Sequence, residues 1–310
     1  MAVATGRDGV LVIKLSALGD FIQALGPMRA IRDHHSTQPV TLLTTPPYAE
    51  LARATGWFDE VWVDQRPGPF NLPGWLALRR RMSNTGFDRV YDLQTSRRSS
   101  LYFHVLFSRK PEWSGVAKGC SHPHDDPRRD FIHTLDRQAG QLRAAGIDAV
   151  PPPSIDWAEA DISRFGLGDR YGLLVPGGAE HRPGKRWPAG RFGAIAERMV
   201  ERGIQPVIIG AGTEAPLADE IQRVCPESLS LVGQTSLLEL AVVIKTAAVA
   251  IGNDTGPMHM AAVAGCRSLV LFSGSSNPDL CAPRGPQVSL LVLDNLTDLS
   301  AEDVVAALDL

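Results

Sequence analysis

The chain has 310 residues, of which 44% are apolar and 21% charged, with a net charge of −3 at pH 7. That balance excludes a disordered chain, a collagen-like one and a strongly basic nucleic-acid binder, and the length argues for two domains of about 150 residues each. No apolar run approaches the ~18–20 residues of a bilayer span.

The opening MAVATGRDG lacks the apolar core of a secretory signal. Cys120, Cys225, Cys266 and Cys281 stand far apart with no C-x-x-C, as expected of free thiols in a reducing cytoplasm. VLVIKL (10–15) reads as a buried strand. GDFIQALGPMRAIRDHH (19–35) then carries Phe21, Ile22, Leu25, Met28 and Ile31 at the spacing of one helix. VTLLT (40–44), EVWV (60–63) and RVYDL (89–93) are further short strands divided by helical stretches. Within one of those stretches, FNLPGWLALRRRM (70–82) sets Leu72, Trp75, Leu76 and Leu78 beside Arg79, Arg80 and Arg81. Such a basic amphipathic helix suits either an ordinary domain surface or an anionic membrane surface.

Pro151–Pro152–Pro153 cannot continue a helix and reads as a stiff interdomain linker. Beyond it the alternation restarts: YGLLV, QPVII, SLSLVG, VAIGN and SLVLFS as strands, with amphipathic helices between them. Apolar strands alternating with helices predict parallel sheets covered on both faces, hence two Rossmann-like domains with ligands at the carboxyl ends of the strands. The expected domains are 1–152 and 153–295, and SAEDVVAALDL within 296–310 reads as a terminal helix with Ser300 at its N-cap. The first 155 residues carry 19 Lys and Arg against 15 Asp and Glu, so an anionic partner is expected on that half.

Several motifs fail on inspection. GAGTEA (210–215) fits G-x-G-x-x-A, but the strand that follows ends without the ribose-binding acid of a dinucleotide site. GGAEHRPGKR (177–186) has a Gly-Lys, yet its spacing is wrong for a P-loop and Arg186 stands where Mg²⁺ needs a Ser or Thr. CSHPHDDPRRDFIH (120–133) collects metal-ligand types, but Pro123 and Pro127 break any helix that would align them, and a polar loop is expected there. No D-x-D occurs, so the chain has no such carboxylate pair for a metal–diphosphate.

Three stretches sit at strand ends: KLSALGD (14–20), VPGGAEHRPGKRWP (175–188) and GNDTGPMH (252–259). In the last, Asp254 or Thr255 is placed to cap a helix, Gly256 admits close approach, and Pro257 starts the helix without wasting an N–H group. That is a helix N-terminus suited to an anion. Together with YDLQTSRRS and HTLDRQAGQLRAAGI, these stretches resemble glycosyltransferase family 9, the bacterial lipopolysaccharide heptosyltransferases, over nearly the whole chain. The resemblance implies the GT-B fold, an α/β architecture of two Rossmann-like domains facing a cleft, with an acceptor-binding first domain and a donor-binding second. It implies an inverting, metal-independent transfer of heptose from ADP-heptose to an anionic lipopolysaccharide core acceptor. No cofactor is expected, and peripheral contact with the inner membrane surface is.

By the same resemblance Asp20 is the catalytic base and Lys185 binds the donor phosphates. Glu214 binds the ribose, and Gly178, Asp254, Thr255, Gly256 and His259 hold the rest of the nucleotide sugar. Lys14, Ser16, Arg97 and Arg98 would face the acceptor. Two features depart from the family pattern: Gly26 before Pro27, and the loop 116–130. They leave open another sugar or acceptor, a GT-B nucleotide-sugar epimerase, or a non-catalytic nucleotide-sugar binder.

Overall fold

The computed structural model describes residues 9–178, 184 and 186–308. The chain divides into two compact units, Met1–Pro153 and Ser154–Leu310.

The first unit is a six-stranded sheet of order β3-β2-β1-β4-β5-β6. Its strands are β1 (Gly9–Ile13), β2 (Val40–Thr44), β3 (Glu60–Val63), β4 (Phe87–Asp92), β5 (Glu112–Gly115) and β6 (His122–Pro123), and every pairing is parallel. Val10, Leu11, Val12 and Ile13 have no exposed surface. A central strand covered on both faces needs such an unbroken apolar run. The helices are α1 (Leu18–Gln23), α2 (Leu25–His34), α3 (Ala49–Ala54), α4 (Leu72–Thr85), α5 (Arg97–Val105) and α6 (Thr134–Ala144).

The single helix expected over 19–35 is two. The break falls at Ala24, whose φ of −80° and ψ of −5° close α1 before α2 begins. Pro27 lacks an N–H group and so cannot continue the ladder of α1, but it is tolerated in the first turn of α2. Gly26 is explained by its neighbour: a Cβ there would lie 2.2 Å from the carbonyl oxygen of Pro151. The missing side chain lets the proline run lie against α2, so the departure at Gly26 belongs to packing rather than to substrate choice.

The second unit repeats the plan, with order β12-β11-β10-β7-β8-β9. Its strands are β7 (Tyr171–Val175), β8 (Gln205–Ile208), β9 (Leu229–Ser230), β10 (Val249–Asn253), β11 (Ser268–Ser273) and β12 (Val288–Leu293), again parallel throughout. Its helices are α7 (Ala189–Glu201), α8 (Ala215–Val224), α9 (Leu237–Thr246), α10 (Gly256–Val263), α11 (Pro278–Cys281) and α12 (Ala301–Leu308). The terminal helix is part of this unit, with Val304 and Leu308 in one core cluster with Phe192, Ile195 and Met199 of α7. Ser300 opens it: its hydroxyl accepts from Asp303 N–H (3.1 Å), and its own N–H donates to the Asp303 carboxylate (3.2 Å).

In each sheet the strand order reverses at one place, between β1 and β4 and between β7 and β10. Open α/β sheets bind ligands at the carboxyl ends of the strands beside that switch point. The loops that matter are therefore those after Ile13 and Asp92 in the first unit, and after Val175 and Asn253 in the second.

Candidate active site

The loop after β1 is held by side chains that follow β2, β3 and β4. Gln94, past the end of β4, accepts the N–H groups of Leu15 (2.7 Å) and Ser16 (3.0 Å) on its Oε1. Thr45, past β2, donates its hydroxyl to the Leu15 carbonyl at 2.6 Å. Arg66, past β3, donates from its guanidinium to the Ser16 hydroxyl at 2.6 Å. Asp20 is the third residue of α1, and its carboxylate accepts Ala17 N–H at 3.2 Å while remaining exposed.

Asp20 shares a cavity of about 240 Å³ with Lys14, Arg129 and Arg137, together with Gln94 and Gln138. Three cations and one carboxylate make this wall positive. Lys14 is 3% exposed and donates to the Leu93 carbonyl at 3.2 Å. Burial lowers its pKa, against the opposing pull of Asp20 and Asp92. Arg137 is half-buried and its pKa is likewise lowered, by burial and then by the charge of Arg129. A guanidinium stays charged in a protein whatever its burial, so Arg129 and Arg137 make the cavity favour an anion.

Of the acceptor-side residues expected from sequence, only Lys14 lines this cavity. Ser16 lies in the loop beside it as the partner of Arg66. Arg97 is exposed at the start of α5. Arg98 is committed elsewhere: it donates to Tyr102 Oη (2.5 Å) and to the Pro67 carbonyl (3.0 Å), and lies 5.3 Å from the Trp75 ring centroid. The arginines that line the cavity are Arg129 and Arg137. Their signal in the sequence was weak, because Arg129 falls in the irregular loop and Arg137 in what reads as a plain amphipathic helix.

Beneath the cavity Asp92 is buried, its Oδ1 accepting the N–H groups of Gln94 (3.1 Å) and Thr95 (3.0 Å). Burial pushes its carboxyl up to about 6, with the Ser99 hydroxyl, those N–H groups and the charge of Lys14 opposing. A raised carboxyl pKa means that the folded state keeps its proton while the unfolded chain loses it. This group's contribution to stability therefore falls as pH rises from about 4 to about 6 and is flat above. Asp92→Asn should gain on the parent across that window by about 1–3 kcal/mol, read as the difference between thermal midpoints at pH 4.5 and pH 7.5. An equal difference at both pH values would show that Asp92 titrates as an ordinary carboxylate.

In the second unit, Glu214 is the hub of the loops after β7 and β8. Its carboxylate accepts the N–H groups of Gly178 (3.1 Å) and Ala211 (2.8 Å). A Cβ on Gly177 would stand 1.9 Å from this carboxylate, and one on Gly210 2.4 Å. Of the two glycines that imitate a dinucleotide fingerprint, Gly210 helps to seat this acid, whereas a Cβ on Gly212 would meet nothing within 4 Å. Gly178 is pinned from its other side by Arg186, which donates to its carbonyl at 2.6 Å. Trp187 is buried against Phe192 and donates its indole N–H to the Leu299 carbonyl at 2.9 Å, anchoring the end of the K-R-W-P stretch. Lys185 lies outside the described residues.

Asp254 and Thr255 follow β10. The Ser276 hydroxyl donates to the Asp254 carboxylate at 2.9 Å. Thr255 occupies the N-cap position of α10 with extended backbone, but its hydroxyl donates to the Asn253 carbonyl (3.1 Å) and accepts nothing from the helix. The expected side-chain cap is therefore not made by Thr255, because its hydroxyl turns back to the strand end. Gly256 is the first residue of α10, and His259, in its first turn, is buried. Among the described residues no three His, Cys, Asp or Glu side chains group as a metal set. In the 120–133 loop, His133 instead caps α6, accepting Leu135 N–H at 3.2 Å.

The family model for glycosyltransferase family 9 (heptosyltransferase) matches residues 75–305. The lipopolysaccharide heptosyltransferase 2 of Escherichia coli (strain K12) is 36% identical over 309 aligned residues, covering 88% of this chain and 85% of that relative. Two solved structures share the fold. One is a family 9 glycosyl transferase from Veillonella parvula DSM 2008, with a TM-score of 0.84, 21% identity, and 100% of this chain and 98% of that one covered. The other is the E. coli heptosyltransferase WaaC with ADP-2-deoxy-2-fluoro heptose, with a TM-score of 0.76, 18% identity, and coverages of 97% and 99%. With two parallel sheets of one strand order, each bringing its polar loops to a switch point, the chain belongs to glycosyltransferase family 9 and is a glycosyltransferase.

Proposed function

We propose that this enzyme transfers heptose from ADP-heptose to an anionic acceptor of the lipopolysaccharide core, inverting the anomeric carbon and needing no metal. The observation that carries the reading is Asp20 on the rim of a cavity with three cations. A cavity of about 240 Å³ has room for the phosphate or carboxylate of such an acceptor. The acceptor is held there by its charge, with its hydroxyl brought to the carboxylate. Asp20 takes the hydroxyl proton as the oxygen attacks the anomeric carbon, and the bond to the diphosphate breaks with its electron pair leaving on ADP. The charge that develops on the leaving group is met by Lys185 and by the N-terminus of α10, with Glu214 directed at the ribose and Asp254 at the sugar. A helix terminus supplies only about 0.3–2 kcal/mol to an anion, so the lysine is needed.

Transfer of heptose from ADP-heptose to a heptose-deficient core acceptor, followed in excess EDTA, tests the whole reading. Full activity is expected. Strict dependence on added divalent metal would refute the metal-free mechanism, and no transfer from ADP-heptose would refute the donor.

The acceptor is lipid-linked in this reading, and the enzyme meets it at the cytoplasmic face of the inner membrane. Phe70 (96% exposed), Leu72 (66%) and Leu76 (63%) line the outer face of the α4 region, followed by exposed Arg79 and Arg80. No helix among the described residues is long and apolar enough to cross a membrane. The contact is a surface one, apolar side chains in the headgroup zone and arginines on anionic lipid. Sedimentation with anionic vesicles should be lost in Leu72→Glu/Leu76→Glu; equal sedimentation of both proteins would exclude this face.

A further inference from the structure

Asn253, the last residue of β10, has no exposed surface and uses both ends of its amide. Oδ1 accepts the backbone N–H of Trp187 at 3.0 Å, and Nδ2 donates to the carbonyls of Pro176 (2.8 Å) and Gly177 (3.0 Å). One side chain thus ties the point where the chain leaves β7 to the point where it enters α7. In sequence those two points bracket Gly178 and Lys185. Gly178, next to one clamped carbonyl, is itself held by Glu214 and Arg186. Trp187, the other clamped residue, is fixed in the core by its ring and indole N–H.

Only an amide of this length serves all three bonds. An ionised Asp keeps an acceptor for Trp187 N–H but turns negative oxygen toward two carbonyls. Leu fills the volume and leaves three buried backbone groups without their partner, each costing about 1–3 kcal/mol. Gln places the amide one methylene too far.

We propose that Asn253 is a positioning residue, which ties the loop after β7 at Pro176 and Gly177 to the entry of α7 at Trp187 and so holds the backbone at Gly178 for the donor's diphosphate. The assignment rests on the nucleotide-diphosphate donor proposed above. It predicts an effect on phosphate binding that is separate from any effect on the nucleoside, on the acceptor or on folding.

The test uses the full chain with Asn253→Asp and the milder Asn253→Ser. ADP and adenosine affinities are measured by calorimetry, donor and acceptor KM and kcat by transfer assay, and folding by thermal unfolding. Small misplacements of binding groups have large effects. ADP affinity should fall by about tenfold or more, with donor KM rising in step, while adenosine affinity and acceptor KM stay within about twofold of the parent. Equal losses for ADP and adenosine, unchanged ADP affinity with a lowered thermal midpoint, or failure of both variants to fold would each assign Asn253 to the fold alone and overturn the proposal. Parent protein that binds no ADP would instead strike at the donor reading, so the two failures are distinguishable.

Discussion

Asp20→Asn is expected to lower turnover by at least about 10²-fold while ADP-sugar binding stays at the parent level. The substitution is close to isosteric. Asn can still accept the Ala17 N–H that the carboxylate now accepts at 3.2 Å, so the first turn of α1 keeps its contact. Lys14, Arg129 and Arg137 remain, so the anionic part of the acceptor keeps its place and acceptor KM should move little. What disappears is the capacity to take a proton, which is worth typically 10²–10⁴-fold. Turnover and ADP-sugar affinity, measured on the same preparation, decide the matter. Turnover equal to the parent would remove Asp20 from the mechanism and leave its carboxylate as a helix-capping group only.

The second large effect belongs to Lys185→Ala. A hydrogen bond to a charged group contributes about 1.5–3 kcal/mol, which corresponds to an ADP affinity lower by about 10- to 150-fold. Adenosine carries no phosphate and should bind both proteins equally. Lys185→Arg should recover part of the loss, because the charge returns on a broader and less compact head. The comparison is a titration of each nucleotide into each protein. Loss of adenosine binding in proportion to ADP would mean that the lysine supports the loop rather than the phosphates.

The sheet of each unit was legible because central parallel strands are covered on both faces. VLVI (10–13) and VAIG (249–252) carry no polar side chain, and such runs announce themselves. β5 and β6 were not, since EWSG and the two-residue His122–Pro123 are too short and polar for any period to show. β12 was missed for another reason. It follows α11, a helix of 4 residues, too short to carry the helical spacing that marks a crossover.

The placement of polar residues was legible where they follow a strand end: Asp20 lines the cavity beyond β1, and Glu214 holds the loops after β7 and β8. It was illegible where a residue earns its role through three-dimensional company. Arg97 and Arg98 looked like a basic pair beside the acceptor, but a half-buried guanidinium needs acceptors. Arg98 finds them in Tyr102 and the Pro67 carbonyl, away from the cavity. Arg137 and Asn253 carry no local signature, because neighbours distant in sequence define them.

Glu214 and the two glycines facing it have a consequence for how the chain can diverge. A methyl group at position 177 or 210 would meet this carboxylate at 1.9 Å or 2.4 Å, so either change makes the Glu214 side chain swing away. In swinging it would give up the N–H groups of Gly178 and Ala211 that it now accepts. Three positions separated in sequence are therefore coupled: keeping the acid in its present place goes with keeping both glycines.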